Sequence, residues 1–80
     1  MGLIRVRLFA AAREAAGTPE TTADALTIGA LLDALERAHP DLARVLTHCS
    51  ILVDGTRTTD RSVALAPGTT VDVLPPYAGG

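Results

Sequence analysis

The residues of this sequence whose types could do chemistry stand together at its end: Tyr77-Ala78-Gly79-Gly80. Glycine has no Cβ, so two in succession make a thread thin enough to approach another backbone or enter a narrow slot. Such an end suits a carboxylate presented to a second protein. Gly80 is then the reactive residue, with Tyr77, Ala78 and Gly79 as the arm that delivers it. A frayed terminus is the plainer alternative, since chain ends are often disordered. Before the arm stand Pro75 and Pro76, whose fixed φ stiffens the exit from the preceding segment. The four residues beyond them span up to about 14 Å at ~3.5 Å per residue.

Other reactive types are scattered. The single cysteine, Cys49, excludes an internal disulfide, and beside the apolar run Ile51-Leu52-Val53 it reads as a small buried hydrophobe. His39 stands at a helix stop, and His48 would diverge from Cys49 on an extended backbone. Neither makes a nucleophile–base pair with Cys49. Two histidines and one cysteine without paired spacing do not form a zinc site, so no metal is expected.

The elements that must position the tail are legible from the pattern. Eighty residues with 48% apolar content specify one small globular domain. Only Phe9 and Tyr77 are aromatic, so the core is aliphatic. Seven arginines, no lysine and nine acidic residues give a net charge of −2. Without a basic run or stacking platform, nucleic-acid binding is not expected. No apolar stretch approaches the ~20 residues of a membrane span, and no signal segment opens the chain. Met1-Gly2 lacks the Ser or Thr of a myristoylation start. A cytoplasmic protein is the expectation.

Leu3 to Phe9 alternates with period two, placing Ile4, Val6 and Leu8 on one face and Arg5 and Arg7 on the other. Ala10 to Ala16 consists of helix formers closed by Gly17. Glu20 to Asp24 runs back as a second strand. Thr27 caps a main helix whose apolar face is Ile28, Leu31, Leu32, Leu35 and Ala38, and Pro40 stops it. Leu42, Val45 and Leu46 add a helical turn or two. Ser50 to Val53 is a third strand, followed by the hairpin signal Asp54-Gly55 and a polar connection with room for a short strand pair. After the turn Ala66-Pro67-Gly68 comes the last strand, Thr70 to Leu74, with Val71 and Val73 inward and Leu74 outward. The fold class is α+β: a ubiquitin-like β-grasp, a mixed sheet of four to five strands with one main helix across one face. The first and last strands should be central, parallel neighbours. Residues 1–76 form the domain and residues 77–80 a flexible tail.

With those elements placed, the chain resembles the MoaD/ThiS family of ubiquitin-like sulfur carriers, most closely the small subunits of molybdopterin synthase. Phe9-Ala10-Ala11-Ala12-Arg13-Glu14-Ala15-Ala16-Gly17 fits the family's Phe-Ala, Arg-Glu, Gly pattern. Leu74-Pro75-Pro76-Tyr77-Ala78-Gly79-Gly80 fits its Phe-Pro-Pro-x-x-Gly-Gly ending. The departures are Leu74 for Phe and Tyr77 for the usual Val, and both also occur in carriers of other pathways.

The resemblance implies that Gly80 is adenylated and converted to a thiocarboxylate. The chain is then no enzyme on its own, but the sulfur-donating subunit of a synthase-type complex that acts on cyclic pyranopterin monophosphate in molybdenum cofactor biosynthesis. The chain carries no Gly-rich phosphate motif, so ATP is used by an activating partner and no cofactor is bound here. The implied partners are a molybdopterin synthase large subunit, a ubiquitin-activating-like adenylyltransferase and a sulfur donor enzyme. Leu74, Pro75, Pro76, Phe9 and Arg13 are the expected docking residues. Two plainer readings stay open: Leu74 as a singly exposed leucine, and Arg13-Glu14 as a solvated charge pair. Carriers for thiamin, cysteine or a specialised sulfur metabolite are the alternative within the class. A protein modifier or binding module is the alternative outside it.

Overall fold

The period-two segment forms β1 (Leu3–Leu8), whose residues alternate exposed and buried along its whole length. The computed structural model describes residues 2–76, and the expected tail, residues 77–80, lies outside the described residues. After β1 come α1 (Ala10–Ala16), β2 (Glu20–Asp24), α2 (Ile28–Ala38), α3 (Leu42–Leu46), β3 (Ser50–Val53), β4 (Thr56–Thr58) and β5 (Thr70–Leu74). The five strands form one sheet in the order β2-β1-β5-β3-β4. β1 and β5 are parallel neighbours, Arg5 beside Thr70 through Leu8 beside Val73, and the other pairings are antiparallel. This is the expected β-grasp, with its two most apolar strands at the centre.

One face of the sheet carries the core. Ile4, Val6, Leu8, Val71 and Val73 meet Ile28, Leu31 and Leu35 of α2 and Leu42 of α3, all almost fully buried. Truncating such a leucine to alanine costs about 2–5 kcal/mol. Leu32 is only partly buried, and Ala38, expected on the same face, is exposed. By that point α2 is ending before Pro40.

α2 starts where the cap signal places it. Thr27 Oγ1 accepts from the Ala30 N–H at 3.1 Å. The first two free N–H groups are also satisfied, Ile28 by the Val63 carbonyl (3.0 Å) and Gly29 by that of Arg61 (2.8 Å). The polar connection after β4 is thereby pinned to the helix, and Arg61 adds an ion pair to Asp33 at 2.9 Å. The Asp54-Gly55 signal forms the β3–β4 turn, with φ of 47° and 88°, as a primed turn requires.

One junction differs from its sequence reading. Ala10, a good helix former, opens α1 with φ of 49°. Phe9 before it is extended, at φ −123° and ψ 150°. The chain must leave a strand and enter a helix within one residue, and Ala10 absorbs the change of direction in a left-handed conformation that disfavours a Cβ.

Candidate functional site

The sheet face opposite the core is built from the other half of each alternation. β1 contributes Leu3, Arg5 and Arg7; β5 contributes Thr70, Asp72 and Leu74; β3 contributes Ser50 and Leu52. The ladder places Arg7 beside Asp72, Asp72 beside Leu52, and Leu74 beside Ser50. Two ion pairs cross it. Arg5 and Glu20 pair at an exposed position. Arg7 and Asp72 pair in two parallel bonds, Nε donating to Oδ1 at 2.6 Å and Nη2 to Oδ2 at 2.9 Å. The Asp72 side chain is only 12% exposed, against 47% for Arg7. The hydrogen bonds from Arg7, the largest cause, hold the Asp72 carboxyl below the usual carboxylate range. The Arg7 guanidinium also lies 5.7 Å from the centre of the Phe9 ring, within cation–π range.

Phe9 stands just past the end of β1. Its N–H donates to the Val73 carbonyl at 3.3 Å, extending the β1–β5 ladder by one step and setting Phe9 beside Leu74. Phe9 is 36% exposed, Leu74 and Pro75 are half-buried, and Pro76 is exposed. Four of the expected docking residues are thus gathered at the end of the sheet from which the chain departs toward Gly80. Leu74 faces outward as expected, though the neighbouring strands shelter part of it.

Arg13 is placed differently. It is exposed on α1, one turn beyond Phe9, whose carbonyl accepts its N–H at 3.4 Å. It makes no ion pair among the described residues. Tyr77, Ala78, Gly79 and Gly80 lie outside the described residues.

The remaining chemical types are quiet. Cys49 is half-buried, its thiol donates to the Val45 carbonyl at 3.2 Å, and burial pushes its pKa up. That favours the unreactive thiol. It borders a hollow of about 200 Å³ lined by Ile28, Leu46, Ile51, Arg57 and Arg61. Among the described residues no group of His, Cys, Asp and Glu is placed to hold a metal ion. No described helix is long and apolar enough to cross a membrane. Sequence reading did not find the Arg7–Asp72 pair. The signal for it was the parallel register of β1 and β5, which alternation alone does not supply.

What the site offers is an apolar rim at a strand end, braced by a buried carboxylate, with a diproline leading from it to Gly79-Gly80. Residues 6–80 match the ThiS family. The chain belongs to the ThiS family. It is a ubiquitin-like sulfur carrier of the MoaD/ThiS type. No curated protein matches it, but solved structures do. Small archaeal modifier protein 1 from Haloferax volcanii is 33% identical, covering 99% of this chain and 100% of that one, with a TM-score of 0.86. The same protein from Methanosarcina acetivorans is 28% identical over 100% and 98%, at 0.88. A complex of subunits 1 and 2 of the molybdopterin-converting factor from Helicobacter pylori contains a chain 22% identical over 98% and 99%, at 0.76. At that identity the likeness is one of fold. In this ThiS-family chain the match runs through Gly80, so the diproline and both glycines fall within it.

Proposed function

We propose that Gly80 of this carrier is the site of sulfur loading, and that the loaded chain donates sulfur to cyclic pyranopterin monophosphate as the small subunit of a molybdopterin synthase-type complex. The observation that carries the reading is the family match extending over the Leu74-Pro75-Pro76 exit to Gly80. A carboxylate is a poor electrophile, so loading begins with adenylation. The Gly80 carboxylate oxygen attacks the α-phosphorus of ATP and pyrophosphate leaves. Sulfide delivered by a donor enzyme then attacks the acyl carbon, AMP departs with the oxygen and the sulfide proton passes to solvent, so the C–S bond of a thiocarboxylate replaces the C–O bond to AMP. The ATP belongs to a ubiquitin-activating-like adenylyltransferase, which docks on the rim formed by Phe9, Leu74 and Pro75.

The same rim serves the large subunit. A central apolar anchor in such an interface contributes about 2 kcal/mol or more. The complex of the Helicobacter pylori subunits supports the two-subunit arrangement. The test is to mix the loaded chain with a molybdopterin synthase large subunit and cyclic pyranopterin monophosphate. Dithiolene product with return of Gly80 to its carboxylate is the expected result. Loaded chain that keeps its sulfur under these conditions overturns the assignment of the acceptor.

A second reading is favoured by the 33% identity to a modifier protein across nearly the whole of both chains. There the activated Gly80 would be captured by a lysine amine of a target protein. The two readings share activation at Gly80 and differ in the nucleophile that follows.

A further inference from the structure

We propose that this chain is a donor only: once Gly80 is activated, the chain's own residues offer no side-chain amine to capture it, so no product joins two copies through a side-chain amide. The inference rests on the proposed activation of Gly80 and goes beyond it by specifying what the activated chain cannot do. It is carried by the inventory of side-chain amines and by the pairing of the arginines.

The activated group is an acyl carbon bearing AMP or a thiol. Capture means that a neutral amine or a thiolate attacks this carbon, the new C–N or C–S bond forms, the C–O or C–S bond to the leaving group breaks, and the proton passes to solvent. Lysine is the usual acceptor because a useful fraction of its amine is neutral at mildly alkaline pH. This chain has none; all seven of its basic residues are arginine. The guanidinium has no free lone pair at accessible pH. Three of the seven are also engaged, Arg5 with Glu20, Arg7 with Asp72 and Arg61 with Asp33.

The only thiol, Cys49, is half-buried and donates to the Val45 carbonyl at 3.2 Å. Serine and threonine hydroxyls need a positioned base to attack an acyl carbon, and those with side-chain bonds spend them locally. Thr18 bonds the Glu20 carbonyl, Thr47 the Arg44 carbonyl and Ser62 the Asp60 carboxylate.

Linkage through an α-amine would join molecules end to end and involves no side chain.

As a sulfur carrier, the chain thus holds an activated terminus at high concentration without side-chain amide links between copies. As a modifier, it could be attached to a target lysine but could not be built into branched chains.

The test has two arms. In the first, the chain is incubated with ATP, sulfide and an activating enzyme, and intact mass reports loading; failure there counts against activation and not against the donor-only inference. In the second, a Gly80 thioester of the full chain is prepared chemically and held concentrated near pH 9, with Arg44→Lys and Arg57→Lys variants beside it. Both positions are exposed, and neither forms an ion pair among the described residues. The neutral fraction of lysine exceeds that of arginine by about a hundredfold or more. Side-chain-linked dimer, mapped by peptide mass, should rise about tenfold or more in the variants over a wild type that only hydrolyses. A side-chain amide dimer formed by the wild type at the variants' yield would overturn the inference.

Discussion

The Arg7 guanidinium and the Asp72 carboxylate form a two-bond pair across the central parallel strands, at 2.6 and 2.9 Å. The pair joins the first strand to Asp72, two residues before Leu74, and the same guanidinium sits 5.7 Å from the Phe9 ring. It ties the sheet's centre to the rim from which the tail departs.

Acid should weaken this link. The folded Asp72 carboxyl titrates below its ordinary range because Arg7 hydrogen-bonds the charged form. Its contribution is complete above the unfolded value of about 3.9 and is lost as pH falls through the lower folded value. Melting temperature measured from about pH 7 to 2 should therefore drop less steeply in Asp72→Asn than in the parent, with the two curves converging at the acid end. Parallel curves would mean that the pair contributes nothing to folding.

Leu74→Glu should weaken binding to both activating enzyme and large subunit while the free domain stays folded. An exposed substitution costs within about 0.5 kcal/mol and a central interface anchor about 2 kcal/mol or more. Leu74 is half-buried, so a small drop in melting temperature is expected alongside. Phe9→Ala should behave alike, because the β1–β5 ladder sets it beside Leu74. Calorimetric titration against each partner checks both. Unchanged affinity in both variants would place the docking surface elsewhere.

Ala10→Gly should be neutral or stabilising, contrary to the usual effect of glycine in a helix. Left-handed backbone costs alanine about 1–2 kcal/mol, against a glycine penalty of about 0.5–1 kcal/mol. Urea denaturation would detect the sign. A loss of 1 kcal/mol or more would contradict the left-handed turn at Ala10.

Thr27→Ala should cost about 1 kcal/mol in the same assay, the usual effect of losing an N-cap oxygen. Thr27→Ser, which keeps the acceptor for Ala30, should recover most of it.

Much of this architecture was legible from local pattern. The alternation of Leu3–Leu8 gave both faces of β1, Thr27 and Pro40 bounded α2, and Asp54-Gly55 marked the tight turn. Those signals lie within a few residues of what they specify. Ala38 was misjudged because its burial depends on where α2 ends; Ala10 opens the helix as expected, but its positive φ depends on how sharply the chain leaves β1. Asp72 looked like an ordinary outward acid. Its burial comes from Leu52 and Arg7 on flanking strands, a register that one strand's sequence cannot reveal. Phe9 was expected at the docking surface because of the family motif and Leu74 because strand alternation turns it outward beside the tail, and the ladder now gives a geometric reason for their adjacency. Arg13 had only the motif, and the fold leaves it on the helix.

The most direct test of the central claim is the intact mass of the 8.3 kDa chain after incubation with ATP, a sulfide source and a ubiquitin-activating-like enzyme. Replacing one carboxylate oxygen by sulfur adds about 16 Da, and fragmentation should place the increment on Gly80, consistent with a nucleophile displacing AMP from the acyl carbon. A mass unchanged across several competent activating enzymes, or an increment mapping to Cys49, would contradict a carrier that works through Gly80.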